Sequence, residues 1–505
     1  MEIPISLNPT CILNNQQTLN KKKPGSKREL IHLKDITSLT RTIMLRSRLN
    51  AIKGKILNFK TRGASRSIAI LASGSVLAHL VTVLAMPINT RLYTPQDFTV
   101  LSIFTSIVGI LAPVACLRFD AAIVLPDSKS EAAELFCLSI LGAFAVSLIL
   151  CCLIYVAPEN IYIILNVSKL KPYAWMIAPA IFITGTYLAM QAWYIRSKEF
   201  GAIAQSRATQ SVTAAGTQIG MGYFGYTPAG LILGFALNYG IGSIFLLGGV
   251  IKRDLTTMKS ITISGLKKTA ILFKHFPKYS IWEGLANGLS NSAPLIIIAT
   301  LAEGPEAGYL TLSLFALQAP LAVLGNAVGQ VYLSGAPQAY REGELNQYTL
   351  KTLRGLIKAG TGPLLFAGLV SPLLFSAIFG AAWERSGHLV AWMAPWFYLQ
   401  FLSSPICNAL HVTRNQKLMM NFHILGVILR VGAVTLAGLY ATALISEVWA
   451  ITGWIFYAAY LAAILHVVGI PFNALLVELS NTKRQIGAFA LFSAVVIAVA
   501  YYIKM

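Results

Sequence analysis

The sequence predicts an all-α polytopic membrane protein with about 12–13 transmembrane helices, and three observations carry that prediction. First, 56% of the 505 residues are hydrophobic and only 12% are charged, with a mean hydropathy of +0.65, a balance that soluble globular chains do not show. Second, thirteen apolar runs approach the roughly 20 residues needed to cross a hydrocarbon core. Third, the basic residues crowd to one side of those runs.

The runs lie near 68–90, 98–117, 133–157, 172–195, 203–226, 228–250, 279–302, 307–333, 357–380, 389–411, 418–441, 447–468 and 487–503. The fifth is the least apolar: Gln205, Arg207, Gln210, Thr213 and Gln218 interrupt it, so it is expected to face protein or water. Placing residues 1–66 in the cytoplasm puts 34 of the 40 Lys and Arg on that side, five (Arg91, Lys169, Lys171, Arg385 and Lys504) opposite, and one, Arg430, inside a span. That bias orients the chain with its N-terminus cytoplasmic. It also accounts for the net charge of +21, so no nucleic-acid partner is implied.

These runs divide the chain. Residues 1–66 are a basic cytoplasmic tail. Its first 43 residues are polar, read as disordered or as preceding a true start at Met44, and 44–60 is amphipathic, with Leu45, Leu49, Ile52 and Ile56 on one face. A helix lying on anionic lipid and a solvated tail both fit that pattern. Residues 67–250 form an N-lobe of six spans, 251–278 a basic linker, 279–470 a C-lobe of six spans, and 471–505 a loop and an extra span. No apolar stretch with a small-residue cleavage site follows the basic run from Lys21 to Arg28, so the first span is expected to direct insertion.

Catalytic and metal signatures are lacking. Of Cys11, Cys116, Cys137, Cys151, Cys152 and Cys407, all but the first fall in predicted spans without zinc-site spacing, and a bridge between neighbours Cys151 and Cys152 would be strained. No Walker glycine loop, His-Glu-x-x-His or Gly-x-Ser-x-Gly occurs. The external connections are short, the longest about 158–171, which leaves a glycan polymerase or ligase little room for a site. The spans instead carry Pro113, Pro179, Pro294, Pro320, Pro363, Pro395 and Pro405, the broken-helix habit of transporters. Gly216-x-x-x-Gly220, Gly284-x-x-x-Gly288 and Gly325-x-x-x-Gly329 read as close-packing motifs. Leu101-Ser102-Ile103-Phe104 and Leu312-Ser313-Leu314-Phe315 open the second and eighth spans, an echo between two six-helix halves.

Pro87-Ile88-Asn89-Thr90-Arg91-Leu92-Tyr93-Thr94-Pro95-Gln96-Asp97-Phe98, Leu117-Arg118-Phe119-Asp120-Ala121-Ala122-Ile123 and Glu131-Ala132-Ala133-Glu134-Leu135 resemble the start of bacterial polysaccharide transporters. These are the oligosaccharide flippases, or lipopolysaccharide biosynthesis proteins, of the multidrug/oligosaccharidyl-lipid/polysaccharide superfamily. Phe276-Pro277-Lys278-Tyr279, Glu306-Ala307-Gly308-Tyr309, Gln318-Ala319-Pro320, Gly325 to Tyr332 and Tyr340 to Leu345 extend the likeness over about residues 65–470. The resemblance implies a MATE-like fold, two six-helix lobes around a central cavity, in a bacterial inner (plasma) membrane. It also implies a secondary-type transporter and not an enzyme. Its implied substrate is a polyprenyl-pyrophosphate-linked oligosaccharide (an O-antigen, capsule or exopolysaccharide repeat unit) carried from the inner to the outer leaflet by alternating access. Partners would be that glycan, membrane lipids and the glycan polymerase and glycosyltransferases. No cofactor is expected, and coupling to H+ or Na+ is left open.

A phosphorylated headgroup crossing the membrane needs donors to replace lost water. Arg430 is the first candidate, because a central Arg costs at least about 2.5 kcal/mol to insert. It is expected to face substrate, a buried partner or, if misplaced, the membrane surface. Arg207 in the weak fifth span and Arg118 at an inner helix end are further candidates, though Arg118 can simply pair with Asp120. Glu283, Asn287 and Asn291 share a helical face suited to sugar hydroxyls or to helix contacts. His79 reads as a packing residue. A multidrug or small-cation antiporter of the same fold is the alternative, disfavoured because the 19 acids avoid the predicted midplane.

Overall fold

The computed structural model describes residues 64–156, 168–302, 304–413 and 415–504, and among these the chain is helical with no strand. The segment 44–60 and most of 158–171 lie outside the described residues. The chain divides into two units, Met1–Arg66 and Ser67–Met505, and the second contains the membrane-spanning helices.

The first half comprises α1 (Ala64–Leu92), α2 (Pro95–Ala115), α3 (Lys129–Val156), α4 (Ile177–Arg196), α5 (Phe200–Tyr223) and α6 (Ala229–Lys259). A short helix, α7 (Ile263–Leu272), lies in the basic linker. The second half comprises α8 (Ile281–Leu301), α9 (Glu306–Pro320), α10 (Asn326–Arg341), α11 (Leu345–Phe379), α12 (Glu384–Ile406), α13 (Gln416–Tyr440) and α14 (Ile445–Val468), and α15 (Phe472–Asn481) and α16 (Lys483–Lys504) come after it. Helices α9 and α10 form a single crossing through the π turn Leu321–Gly325, where Pro320 has no N–H to continue the α-helical ladder and a wider turn absorbs the break.

All thirteen expected crossings are helices. Among the described residues nine of them, α1 to α4, α6, α8, α11, α13 and α14, are both long and apolar enough to span a membrane. Of the other four, α5 and α12 carry more polar sequence, which a helix facing protein tolerates, α9–α10 is interrupted by its π turn, and α16 is apolar along Ile486–Ile503. Helix α12 shows this: Met393, Trp396, Phe397, Phe401 and Leu402 are all buried in the second half.

Local chemistry sets the element boundaries. At the start of α2 the Thr94 hydroxyl accepts the Asp97 N–H, the Asp97 carboxylate accepts the Thr94 N–H at 2.8 Å, and Pro95 opens the first turn, a reciprocal cap. Thr262 caps α7 through the Gly265 N–H, and the Thr269 hydroxyl of α7 donates to buried Glu134 on α3. The linker is thus latched to the first half.

The halves meet where α2 packs on α8 and α9. Gly284 and Gly288 make this possible: a Cβ at Gly288 would lie 2.8 Å from the Ile110 Cα. The other two glycine pairs do not pack as expected. Gly216 and Gly220 face open space; Gly325 and Gly329 border a cavity, where only Gly329 meets a neighbouring helix, at the Pro405 backbone of α12. The echoed quartets begin at the seventh residue of α2 and of α9. Residues 471–486, expected as loop, contain α15, held to α11 by the ion pair of Glu478 with Arg354 at 2.5 Å.

Candidate functional site

A cavity of about 620 Å³ opens among α2, α8, α9–α10, α12, α13 and α14. Its wall is built on four-residue spacing. Trp396, Gln400, Ser404 and Asn408 descend α12 and its short extension on one face, and Leu314, Gln318, Leu321, Gly325, Gly329 and Leu333 descend α9–α10 through the π turn. Residues so spaced stack along one side of a helix. The first half contributes Thr105 and Ser106 of α2, so the cavity belongs mainly to the second half.

Arg430 lines this cavity and is 3% exposed. Its guanidinium carbon sits over three rings, 4.6 Å from Phe456, 5.1 Å from Tyr457 and 5.2 Å from Trp396. Desolvated cation–π contacts contribute up to about 2 kcal/mol and fix the side chain's position. They leave its N–H groups unmet: Nε and Nη2 are sealed with no hydrogen-bond partner, each such donor costing about 1–3 kcal/mol. Trp396 and Trp449 add unpartnered indole N–H groups to the same wall, and Gln400 an unpartnered Oε1. Donors therefore exceed acceptors at the orphaned positions, which suits an anion.

The other expected residues separate. Asn291 lines the cavity, and its amide donates to the Asn287 carbonyl oxygen at 2.9 Å. Glu283 and Asn287 continue the exposed face of α8 toward the basic end. Arg207 is not part of this wall; its guanidinium donates to the Ser75 hydroxyl at 2.5 Å, joining α5 to α1 in the first half. Arg118 lies past the end of α2 in the left-handed region at φ 63°, near Gly284 of α8. No salt bridge joins it to Asp120 among the described residues, and Arg118 Nε and Asp120 Oδ1 are each sealed without a partner. Burial raises the Asp120 carboxyl pKa against the opposing pull of Arg118. The expected pairing of these two takes the form of a charge interaction without a salt bridge.

Sequence reasoning passed over Trp396, Gln400, Trp449, Phe456, Tyr457 and His423. The four-residue ladder of α12 was a legible signal for the first two. His423, two turns from Arg430 on α13, interacts electrostatically with both Arg430 and Glu283, a link across helices that no spacing announces.

At the opposite end from the basic linker the halves are sealed together. The Trp383 indole, 1% exposed, donates to the Thr90 carbonyl oxygen at 2.9 Å and meets Phe98 edge-on at 4.8 Å. The Gly308 N–H donates to the Thr99 hydroxyl at 3.1 Å. Tyr93 and Asn89 tie the α1 end to Gln218 of α5, and removal of the Tyr93 phenol from water pushes its pKa up to about 12. Arg385 bridges Glu306 and Glu447, both at 2.7 Å.

Known proteins bear on this architecture. Residues 88–388 match the family described as polysaccharide biosynthesis protein. A comparison with curated protein sequences finds no match. Among solved structures, the lipid II flippase MurJ in an inward closed conformation superposes with a TM-score of 0.62 at 14% identity, covering 85% of this chain and 97% of that one. An inward-facing multidrug resistance MATE family transporter of the MOP superfamily gives 0.60 at 14% identity, covering 79% and 94%. A MOP superfamily transporter from Pyrococcus furiosus, described as having a binding pocket of reversed polarity, gives 0.52 at 14% identity, covering 80% and 95%. These likenesses establish the MATE-like, two-lobed membrane fold. With more than half of its length matched, this multi-pass membrane chain belongs to the polysaccharide biosynthesis protein family.

Proposed function

We propose that this protein is a flippase that carries a polyprenyl-pyrophosphate-linked oligosaccharide, a repeat unit of O-antigen, capsule or exopolysaccharide, across the bacterial inner membrane. The observation that carries the reading is Arg430, a buried and under-partnered cation in a cavity that a polysaccharide-family chain builds mainly from its second half, closed by Thr105 and Ser106 of the first. The headgroup enters from the cytoplasmic leaflet, where the basic linker lies, and leaves to the outer leaflet as the halves rock. The Trp383–Thr90 seal closes the outer side in this state, and the polar face of Glu283, Asn287 and Asn291 leads inward from the cytoplasmic side. An inward-facing MATE transporter superposes at 0.60 and an outward-facing one at 0.54, which supports that assignment of state. The polyprenyl chain stays in lipid, because a volume of about 620 Å³ holds a compact headgroup only.

An antiporter of cationic drugs is the second reading. It fits less well, because the full charge on the cavity wall is positive and no carboxylate lines it among the described residues. The test replaces Arg430 by Ala. Inserted protein at normal level with surface glycan lost is the expected result. Unchanged glycan in that strain would remove Arg430 from transport, and drug sensitivity of a deletion strain with intact glycan would favour the antiporter.

A further inference from the structure

The charge inventory of the cavity narrows the class of headgroup. Of the residues lining it, Arg430 is the one full charge; no Asp, Glu, Lys or second Arg is on its wall among the described residues. Outside the wall, His423 lies farther along α13 and Glu283 stands on the exposed face of α8, so neither adds a permanent positive charge beside Arg430. Arg207 is engaged with Ser75 in the first half, and Arg118 stands at the basic end beside Gly284.

A diphosphate bears about two or more negative charges near neutral pH. Seated against a lone guanidinium in a site walled by aromatic rings, it would keep at least one charge uncompensated and desolvated, which the single ion pair does not repay. A carboxylate matches the guanidinium both in charge and in its planar two-point geometry. The rest of the wall suits a sugar. Gln318, Gln400, Ser404 and Asn408 offer amide and hydroxyl groups, with both donors and acceptors for ring hydroxyls. Phe397 and Phe401 offer apolar surface. Trp449, 2% exposed with its indole N–H unpartnered, supplies a further donor for an oxyanion.

We propose that the glycan accepted by this cavity contains an acidic sugar of the uronic-acid type, whose carboxylate is held by Arg430 with help from the Trp449 indole. The inference rests on the lipid-linked glycan reading above and specifies its substrate: the diphosphate stays toward the basic end, and the sugar chain reaches the cavity. Arg430 then acts as a selectivity residue that distinguishes acidic from neutral repeat units.

The test titrates the purified full-length protein with three probes, following tryptophan fluorescence because Trp396 and Trp449 line the site. The probes are trigalacturonic acid, neutral galactotriose and inorganic pyrophosphate. Trigalacturonic acid is expected to bind at least about 10-fold more tightly than galactotriose and to resist displacement by pyrophosphate. Arg430→Gln should weaken it by about 30-fold or more, and Trp449→Phe, which keeps a smaller aromatic ring and loses the indole N–H, by about 10-fold. Arg430→Lys keeps the charge without the fork and should fall between, so it decides the matter should the Gln variant not fold. Equal binding of galactotriose, displacement by pyrophosphate, or no binding of trigalacturonic acid each overturns the acidic-sugar proposal and leaves the flippase reading standing. The flippase reading falls separately, if vesicles holding the protein fail to translocate lipid-linked glycans of either kind while trigalacturonic acid still binds at Arg430.

Discussion

At the scale of single residues, identical motifs have different roles because their surroundings differ. Gly288 lies against the backbone of Ile110, which cannot yield, whereas Gly216 faces nothing within 4 Å. Gly288→Ala is therefore expected to push α2 from α8 and destabilise the protein by about 1–3 kcal/mol. Gly216→Ala should be neutral or stabilising by about 0.5–1 kcal/mol, since it only removes a glycine from a helix interior. Thermal unfolding of the two variants in detergent makes the comparison, and equal losses would contradict it. Arg430 was legible from the sequence as a lone cation within an apolar run. Its aromatic bed was not, because Trp396, Phe456 and Tyr457 come from two other helices.

At the scale of elements, the carboxyl-terminal part shows how an unforeseen helix is held. Helix α15 is anchored by Glu478, whose carboxyl is hydrogen bonded by Arg354 of α11 and held below its ordinary pKa by that guanidinium. A depressed carboxyl contributes stability above its unfolded value, about 4.3, and loses that contribution as pH falls through the folded value. Glu478→Gln should accordingly lower the unfolding temperature at neutral pH, with the gap to the parent closing progressively in acid. A gap that persisted at low pH would assign α15 to apolar packing instead. Residues 471–486 read as loop in the sequence because their apolar stretch is too short to span a membrane. The ion-pair partner that docks α15 stands 124 positions away, on α11.

At the scale of the whole molecule, the stretch from Pro87 to Phe98 that carries much of the family resemblance builds the seam between halves and not the binding wall. Thr90 and Phe98 meet Trp383 of the second half there, while Asn89 and Tyr93 brace the same end to Gln218 of α5 within the first half. Gly308 is the seam's closest approach, since a Cβ on it would collide with the Pro95 carbonyl. Gly308→Leu is expected to open that end: a cysteine at buried Ser102, with native cysteines replaced, should react about 10-fold faster with an impermeant thiol reagent added outside, the population shift equivalent to about 1.4 kcal/mol. Unaltered labelling would show that the seam does not govern outer access. Composition and periodicity by themselves determined that the chain is a bundle of membrane helices, where those helices fall and which ends are basic, because lipid imposes length and apolarity on each helix separately. Only the tertiary structure decided which polar residues meet. The wall around Arg430 draws on six crossings, and whether a side chain in one helix faces lipid, protein or cavity is set by neighbours that its own sequence does not contain.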